Sequence, residues 1–266
     1  MTRRERRQAE REGRKTGRQA PASSSKGPSM MLLATVGALI AGVAIIAVVF
    51  LVSQPPAAGT ADLTSPTHIP PTDLADGRTI GKADAPVTLE DWSDFQCPAC
   101  GVQARETIPQ LMDTYVRDGT LKIVYRDAAF QGRKSSSSFD ESVEPAAAAR
   151  CAAEQGRFWE YHDYLYWNQD GENEGGFRRE RLDQIAKAVG LDEAAWSTCL
   201  DSGEQQQAVI VETDQGASQG IDSTPTVYIN GEKIVGAQPY EQLALLIEAA
   251  AAEAGVDSSP AATPVP

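Results

Sequence analysis

Two strand patterns with a helix pattern between them, and a Cys-x-x-Cys where the first strand gives way to the helix, constrain this chain most. Pro86 to Asp94 (PVTLEDWSD) reads as a strand. A helix pattern follows from Pro98, with Ile108, Leu111, Met112 and Tyr115 at i, i+3, i+4, i+7 spacing. Pro109 falls inside that stripe, and since the stripe continues past it, a kink is expected and not an end. Asp118-Gly119 then turns the chain into Thr120 to Tyr125, where Leu121, Ile123 and Tyr125 alternate. A β-α-β unit of this kind implies a parallel strand pair with a right-handed crossover.

Downstream, a polar stretch including Ser135 to Ser138 precedes four helical segments, at about 144–155, 158–169, 177–190 and 192–202. Another helix is expected over about 204–219. Strand patterns return at Thr226 to Ile229 and Lys233 to Val235, joined by Asn230-Gly231, the strongest short hairpin signal. A last helix spans about Tyr240 to Ala254, with Leu243, Leu246 and Ile247 on one face. The order predicts an α/β fold: a compact mixed sheet flanked by helices, built from 79–135 and 204–255, with 136–203 inserted as a helical block.

The ends have a different character. Residues 30–52 (MMLLATVGALIAGVAIIAVVFLV) carry no charge, and roughly 20 such residues suffice to cross a hydrocarbon core. The run is longer than the roughly 7–15 residues of a usual signal-peptide core, so a retained transmembrane helix is expected. Residues 1–29 carry nine Lys/Arg against three Glu, a net of +6, and should stay cytoplasmic. The body beyond the run holds 15 basic and 34 acidic residues, net −19, and should lie outside. A body so acidic repels DNA, RNA and anionic headgroups, which argues against nucleic-acid partners. Residues 53–78, with five prolines, read as a semi-extended linker, and 256–266 as a disordered tail.

If Cys97 caps the helix, Pro98 occupies the first helical position, where its missing N–H costs nothing. The Cys97 sulfur then faces unpaired amides and the positive end of the helix dipole, which favour a thiolate. Cys100, one turn further in, is expected to be buried and close enough to resolve a mixed disulfide. Half a zinc site or a structural disulfide is the alternative for such a pair, and the strand-to-helix junction argues against both. Val87, Leu89 and Asp91 alternate onto one face, placing a carboxyl among apolar neighbours. Buried there, Asp91 would have a raised pKa and could relay a proton to or from Cys100; a surface acid at a strand end is the other reading. Cys151 and Cys199 stand far apart, open to a disulfide, two buried thiols or a zinc site shared with the first pair. Zinc is disfavoured by spacing, and with only His68 and His162 to draw on no metal and no cofactor is expected. The aromatic run Phe158 to Trp167 reads as core or surface of the insert, and Asp170 to Glu174 as a solvated loop.

Over about 80–255 the arrangement resembles the DsbA-like thioredoxin-fold proteins of bacterial envelopes: Cys-x-x-Cys after the first strand, a helical insertion, then Thr224-Pro225 opening a hairpin. The resemblance implies a thioredoxin-like fold in which Pro225 is cis and faces Cys97 and Cys100, its backbone accepting an extended substrate peptide. It implies an acid at the position of Asp91, and a structural disulfide between Cys151 and Cys199 that staples the insert. A loop of that size contributes on the order of 3–4 kcal/mol. One departure is evident: the strongest oxidants of the group have Pro-His between the cysteines, and this chain has Pro98-Ala99. A histidine there would stabilise the thiolate, so its absence bears on the direction of electron flow.

The function so implied is an extracytoplasmic thiol–disulfide oxidoreductase on the bacterial cell membrane, passing a Cys97–Cys100 disulfide to reduced or unfolded secreted proteins. A quinone-linked membrane oxidase is the redox partner expected to reoxidise it. A reductase or isomerase of the same fold, and a non-catalytic binding or folding module with structural cysteines, are the alternatives.

Overall fold

A computed structural model of the chain describes residues 63–132 and 140–256. The basic segment 1–29, the apolar run 30–52, the first ten residues of the segment read as linker, and the tail from 257 lie outside the described residues. No helix among the described residues is long and apolar enough to cross a membrane.

Six strands form one mixed sheet: β1 (Ala75–Asp76), β2 (Thr79–Ile80), β3 (Val87–Ser93), β4 (Leu121–Asp127), β5 (Thr226–Ile229) and β6 (Glu232–Val235), in the order β1-β2-β4-β3-β5-β6. β3 pairs in parallel with β4 and antiparallel with β5, so Asp91 lies between Tyr125 and Val227. The parallel pair follows from the helical crossover between the strands. That helix begins as α1 (Pro98–Val102), passes a π-helical turn at Gln103–Thr107, continues as α2 (Ile108–Leu111), and ends in a second π-helical turn at Met112–Val116. Pro109 has no N–H to donate, and the chain absorbs the missing bond by widening the turns on either side of it. Ile108, Leu111, Met112 and Tyr115 are all buried. The hairpin β5–β6 turns at Asn230 and Gly231, both with positive φ (45° and 92°), as a tight turn between twisted strands requires.

Between β4 and β5 lie α3 (Val143–Ala153), α4 (Phe158–Trp167), α5 (Arg179–Val189), α6 (Glu193–Asp201) and α7 (Glu204–Ser218); α8 (Tyr240–Glu253) closes the chain. The insert shares the sheet's core. Leu89, Ile123 and Val227 of the sheet belong to one apolar cluster with Phe158, Tyr161, Leu165, Trp196 and Leu200 of the helices. On the opposite face of β3, Trp92 packs against α7 at Gly216, where an added Cβ would stand 2.7 Å from the ring. A residue larger than glycine would push α7 off the sheet.

Residues 63–78, within the segment read as linker, are folded onto the domain. β1 and β2 form a small antiparallel hairpin whose second strand extends the sheet at β4. His68 is nearly buried, with Nδ1 3.9 Å from Asp163 Oδ2 and Nε2 3.6 Å from Asp113 Oδ1. Arg78 joins a buried charge cluster, reaching Asp127 at 3.1 Å and Glu212 at 2.6 Å, while Arg150 of α3 contacts both acids at 2.6 Å. The cluster ties the hairpin, β4, the insert and α7 to one another. Removing one partner of such a network strands a buried charge, at a cost of about 3–5 kcal/mol.

Candidate active site

The site lies where β3 ends. Asp94-Phe95-Gln96-Cys97 form a turn closed by the Cys97 N–H donating to the Asp94 carbonyl at 3.0 Å. Cys97 caps α1 with extended backbone (φ −69°, ψ 120°), and Pro98 takes the first helical position. Both thiols are free and buried, Cys97 at 4% and Cys100 at 1% exposure. Despite similar burial their chemistry diverges. The Cys97 thiol is lowered to about 6, first by a hydrogen bond from the Cys100 thiol, then by Thr224 and the amides of Cys100 and Ala99, with burial opposing. The Cys100 thiol is pushed well up, first by burial, then by its hydrogen bond to Cys97 and the charges of Cys97 and Asp91. One sulfur is thus disposed to carry charge at neutral pH and the other a proton.

The Thr224–Pro225 peptide bond is cis, and the Thr224 carbonyl accepts from Cys97 Sγ at 3.3 Å. Pro225 is buried and Thr224 partly so, which sets the entry of β5 directly against Cys97. Asp91 is 5% exposed; its Oδ1 accepts from Ser93 Oγ at 2.6 Å and Gln103 Nε2 at 3.1 Å. Burial raises its carboxyl above the ordinary carboxylate range, against the pull of those two donors and of His162. Cys97, Cys100, Asp91, Thr224 and Pro225 therefore come together. Cys151 and Cys199 form a disulfide between α3 and α6, outside this group.

Several residues of the site escaped the sequence reading. Gln169, just beyond α4, donates from Nε2 to the carbonyls of Phe95 (2.6 Å) and Cys97 (3.1 Å). It passes so close to α1 that a Cβ on Gly101 would stand 2.0 Å from Gln169 Oε1. Gln96 donates to Ser142 Oγ at 2.9 Å and accepts from the Asn173 amide at 2.5 Å, so the loop, exposed over 170–174 as expected, also braces the turn that ends at Cys97. The ring of Phe95 stacks on Tyr125 (5.2 Å between centroids) and meets Tyr166 at 4.9 Å, and Trp159, Tyr161 and Tyr166 are buried. Beside Pro98 a groove of about 300 Å³ opens between Gln96, Arg105, Tyr166, Trp167 and Gln169. Among the described residues no group of histidines, cysteines and acids could hold a metal ion.

The pattern of the family described as thioredoxin matches residues 73–249. The probable disulfide bond formation protein D of Bacillus anthracis is 28% identical over 156 residues, 58% of this chain and 70% of that protein. The crystal structure of oxidised BdbD from Bacillus subtilis superposes with a TM-score of 0.58 at 25% identity, covering 66% of this chain and 92% of that one. That of α-DsbA1 from Wolbachia pipientis gives 0.59 at 16% identity, over 68% and 94% of the two chains, a likeness of fold alone. The chain belongs to the thioredoxin family, and within it to the DsbA-like protein disulfide oxidoreductases.

Proposed function

We propose that this protein donates disulfides to reduced secreted proteins outside the cytoplasm, with Cys97 and Cys100 as the redox pair. The asymmetry of the two sulfurs beside a cis-proline carries the reading. A substrate thiolate attacks Cys97 Sγ of the Cys97–Cys100 disulfide; the bond to Cys100 breaks and a mixed disulfide forms on Cys97. Cys100 leaves as a thiolate of high proton affinity, and Asp91, whose carboxyl is raised by burial, hands it a proton. A second substrate thiolate then attacks the substrate sulfur of the mixed disulfide. The oxidised substrate departs, and Cys97, the lower-pKa sulfur, is the better leaving group. Thr224 and Pro225 present backbone to the bound segment.

The apolar run 30–52 supports a single membrane span with 1–29 cytoplasmic and the folded domain outside. The domain then comprises 79–135 and 204–255 with the insert 136–203, reached through a linker shortened by the folded hairpin to little more than residues 53–62. The partner that restores the disulfide is a quinone-linked membrane oxidase. A reductase of the same fold is the second reading, favoured by Ala99 in place of a charge-stabilising histidine.

The test is oxidative refolding of a reduced, disulfide-containing secreted protein by stoichiometric oxidised full-length chain in detergent. Activity should appear in the parent, vanish in Cys97→Ser, and fall about a hundredfold in rate in Asp91→Asn, the low end for loss of a proton-transfer group. An active Cys97→Ser protein would sink the redox-pair reading; an unimpaired Asp91→Asn protein would remove the proton relay alone. Alkaline extraction of membranes should leave the chain in the pellet, and recovery in the supernatant would contradict the anchor.

A further inference from the structure

Asp94 opens the turn that ends at Cys97, and the exchange chemistry above makes no use of it. Its side chain is folded back over that turn, with Oδ1 accepting from the Gln96 amide at 2.9 Å. Oδ2 accepts from the Gln131 amide at 2.9 Å and from Ser142 Oγ at 2.8 Å. Asp94 is 2% exposed. All three donors are neutral, so among the described residues no cation touches these oxygens. Neutral donors hold a carboxylate in place without cancelling its field, and in a poorly screened interior that field reaches neighbouring groups. The ionisable group on the same turn is the Cys97 thiol.

Resting on the reading of Cys97–Cys100 as the redox pair, we propose that Asp94 sets its potential: a fixed negative charge, held over the turn by Gln96, Gln131 and Ser142, opposes the Cys97 thiolate and shifts the equilibrium toward the disulfide. The helix end, the Thr224 side chain and the Cys100 thiol stabilise the thiolate; Asp94 is the counterweight. Its own titration accords with this, being raised to about 6 by burial first and, against its three hydrogen bonds, by the charge of Cys97. When two glutathione thiols reduce the pair, the protein S–S bond breaks and one glutathione disulfide forms. One proton stays on Cys100, the other is released, and Cys97 keeps the negative charge that Asp94 opposes.

A residue that merely held the turn would behave in the opposite sense. Loosening the turn would withdraw Cys97 from the helix amides, weaken the thiolate and make the disulfide harder to reduce. The sign of the effect therefore separates the two roles. The full chain in detergent is equilibrated with glutathione buffers at about pH 8, well above the carboxyl's own titration, and its redox state read by alkylation mass.

Asp94→Asn should move the equilibrium constant about tenfold toward the dithiol, about 30 mV for a two-electron couple. The Cys97 pKa, read from alkylation rates, should fall by about one unit, the same factor of ten. Asp94→Ser, a smaller neutral replacement, is read beside it so that the comparison does not depend on one variant folding. Asp94→Glu, which keeps the charge on a longer arm, should stay nearer the parent than either. No shift in the neutral variants, a shift toward the disulfide, or Asp94→Glu moving with them would overturn the inference. A parent chain that shows no glutathione-dependent transition would overturn the redox-pair reading and this inference with it.

Discussion

Cys97 and Cys100 are the same side chain three residues apart, and position alone separates them. Cys97 stands at the helix end among hydrogen-bond donors, while Cys100 stands one turn inside, buried and beside Asp91. The depressed Cys97 thiol has a consequence for stability. With a value of about 6 when folded and 9.0 as its reference, reduced native protein binds fewer protons than unfolded chain between those limits. Stability from this group is therefore fully present above about pH 9 and is lost as pH falls through about 6. Asp94 and Asp127 titrate at the lower edge of that window, near 6. Urea midpoints of the reduced protein from about pH 6 to 9 should rise with pH in the parent more steeply than in Cys97→Ser. Identical slopes would mean that Cys97 is no thiolate in the folded state.

At the scale of elements, the insert is held to itself by covalent and polar links. The Cys151–Cys199 disulfide joins α3 to α6 across 48 residues, and Trp196 Nε1 donates to the Ala148 carbonyl at 3.0 Å along the same interface. Replacing both cysteines with alanine should destabilise the protein by about 3–4 kcal/mol, since closing a loop of that length mainly restricts the unfolded chain. Denaturant unfolding checks this; an unchanged midpoint would mean that packing alone holds the insert. Exchange with glutathione should survive, because neither cysteine touches the Cys97 turn. Much of this layer could be read from the sequence. Period-2 alternation marked β3 and β4, and Asn230-Gly231 marked the β5–β6 turn. The expected bounds of the four helices of the insert hold to within two residues. The β1–β2 hairpin could not be found that way, because strands of two residues carry no period and the prolines just before them suggested a linker.

For the molecule as a whole, the legible and illegible parts of the site divide by distance along the chain. Cys97, Pro98, Cys100 and Asp91 lie within ten residues and follow from one strand and one helix. Thr224 and Pro225 came only through resemblance, and the braces around the redox turn did not come at all. Gln169 reaches Phe95 from 74 residues away, and Ser142 reaches Asp94 from 48. A glutamine, a serine and an asparagine have no signature until the fold brings them to a backbone carbonyl or a carboxylate. The same fold makes insert and sheet one body: Phe95 at the redox turn packs on Tyr125 of β4 and on Tyr166 of the insert. The cysteine pair is thus held by the whole domain and not by its helix alone.

The direction of electron flow is a property of that assembly, where helix amides and Thr224 favour the Cys97 thiolate and Asp94 opposes it. A thiol near 6 is lower than that of thioredoxin, about 7, and higher than that of DsbA, about 3.5. Between those two proteins the reduction potential rises as the thiol pKa falls. The direct measurement is the potential of Cys97–Cys100 in the full chain, equilibrated with glutathione and read by alkylation mass. A disulfide donor predicts a value between about −180 and −120 mV, the range from protein disulfide isomerase to DsbA. A value near that of thioredoxin, about −270 mV, would contradict it and make the protein a source of electrons.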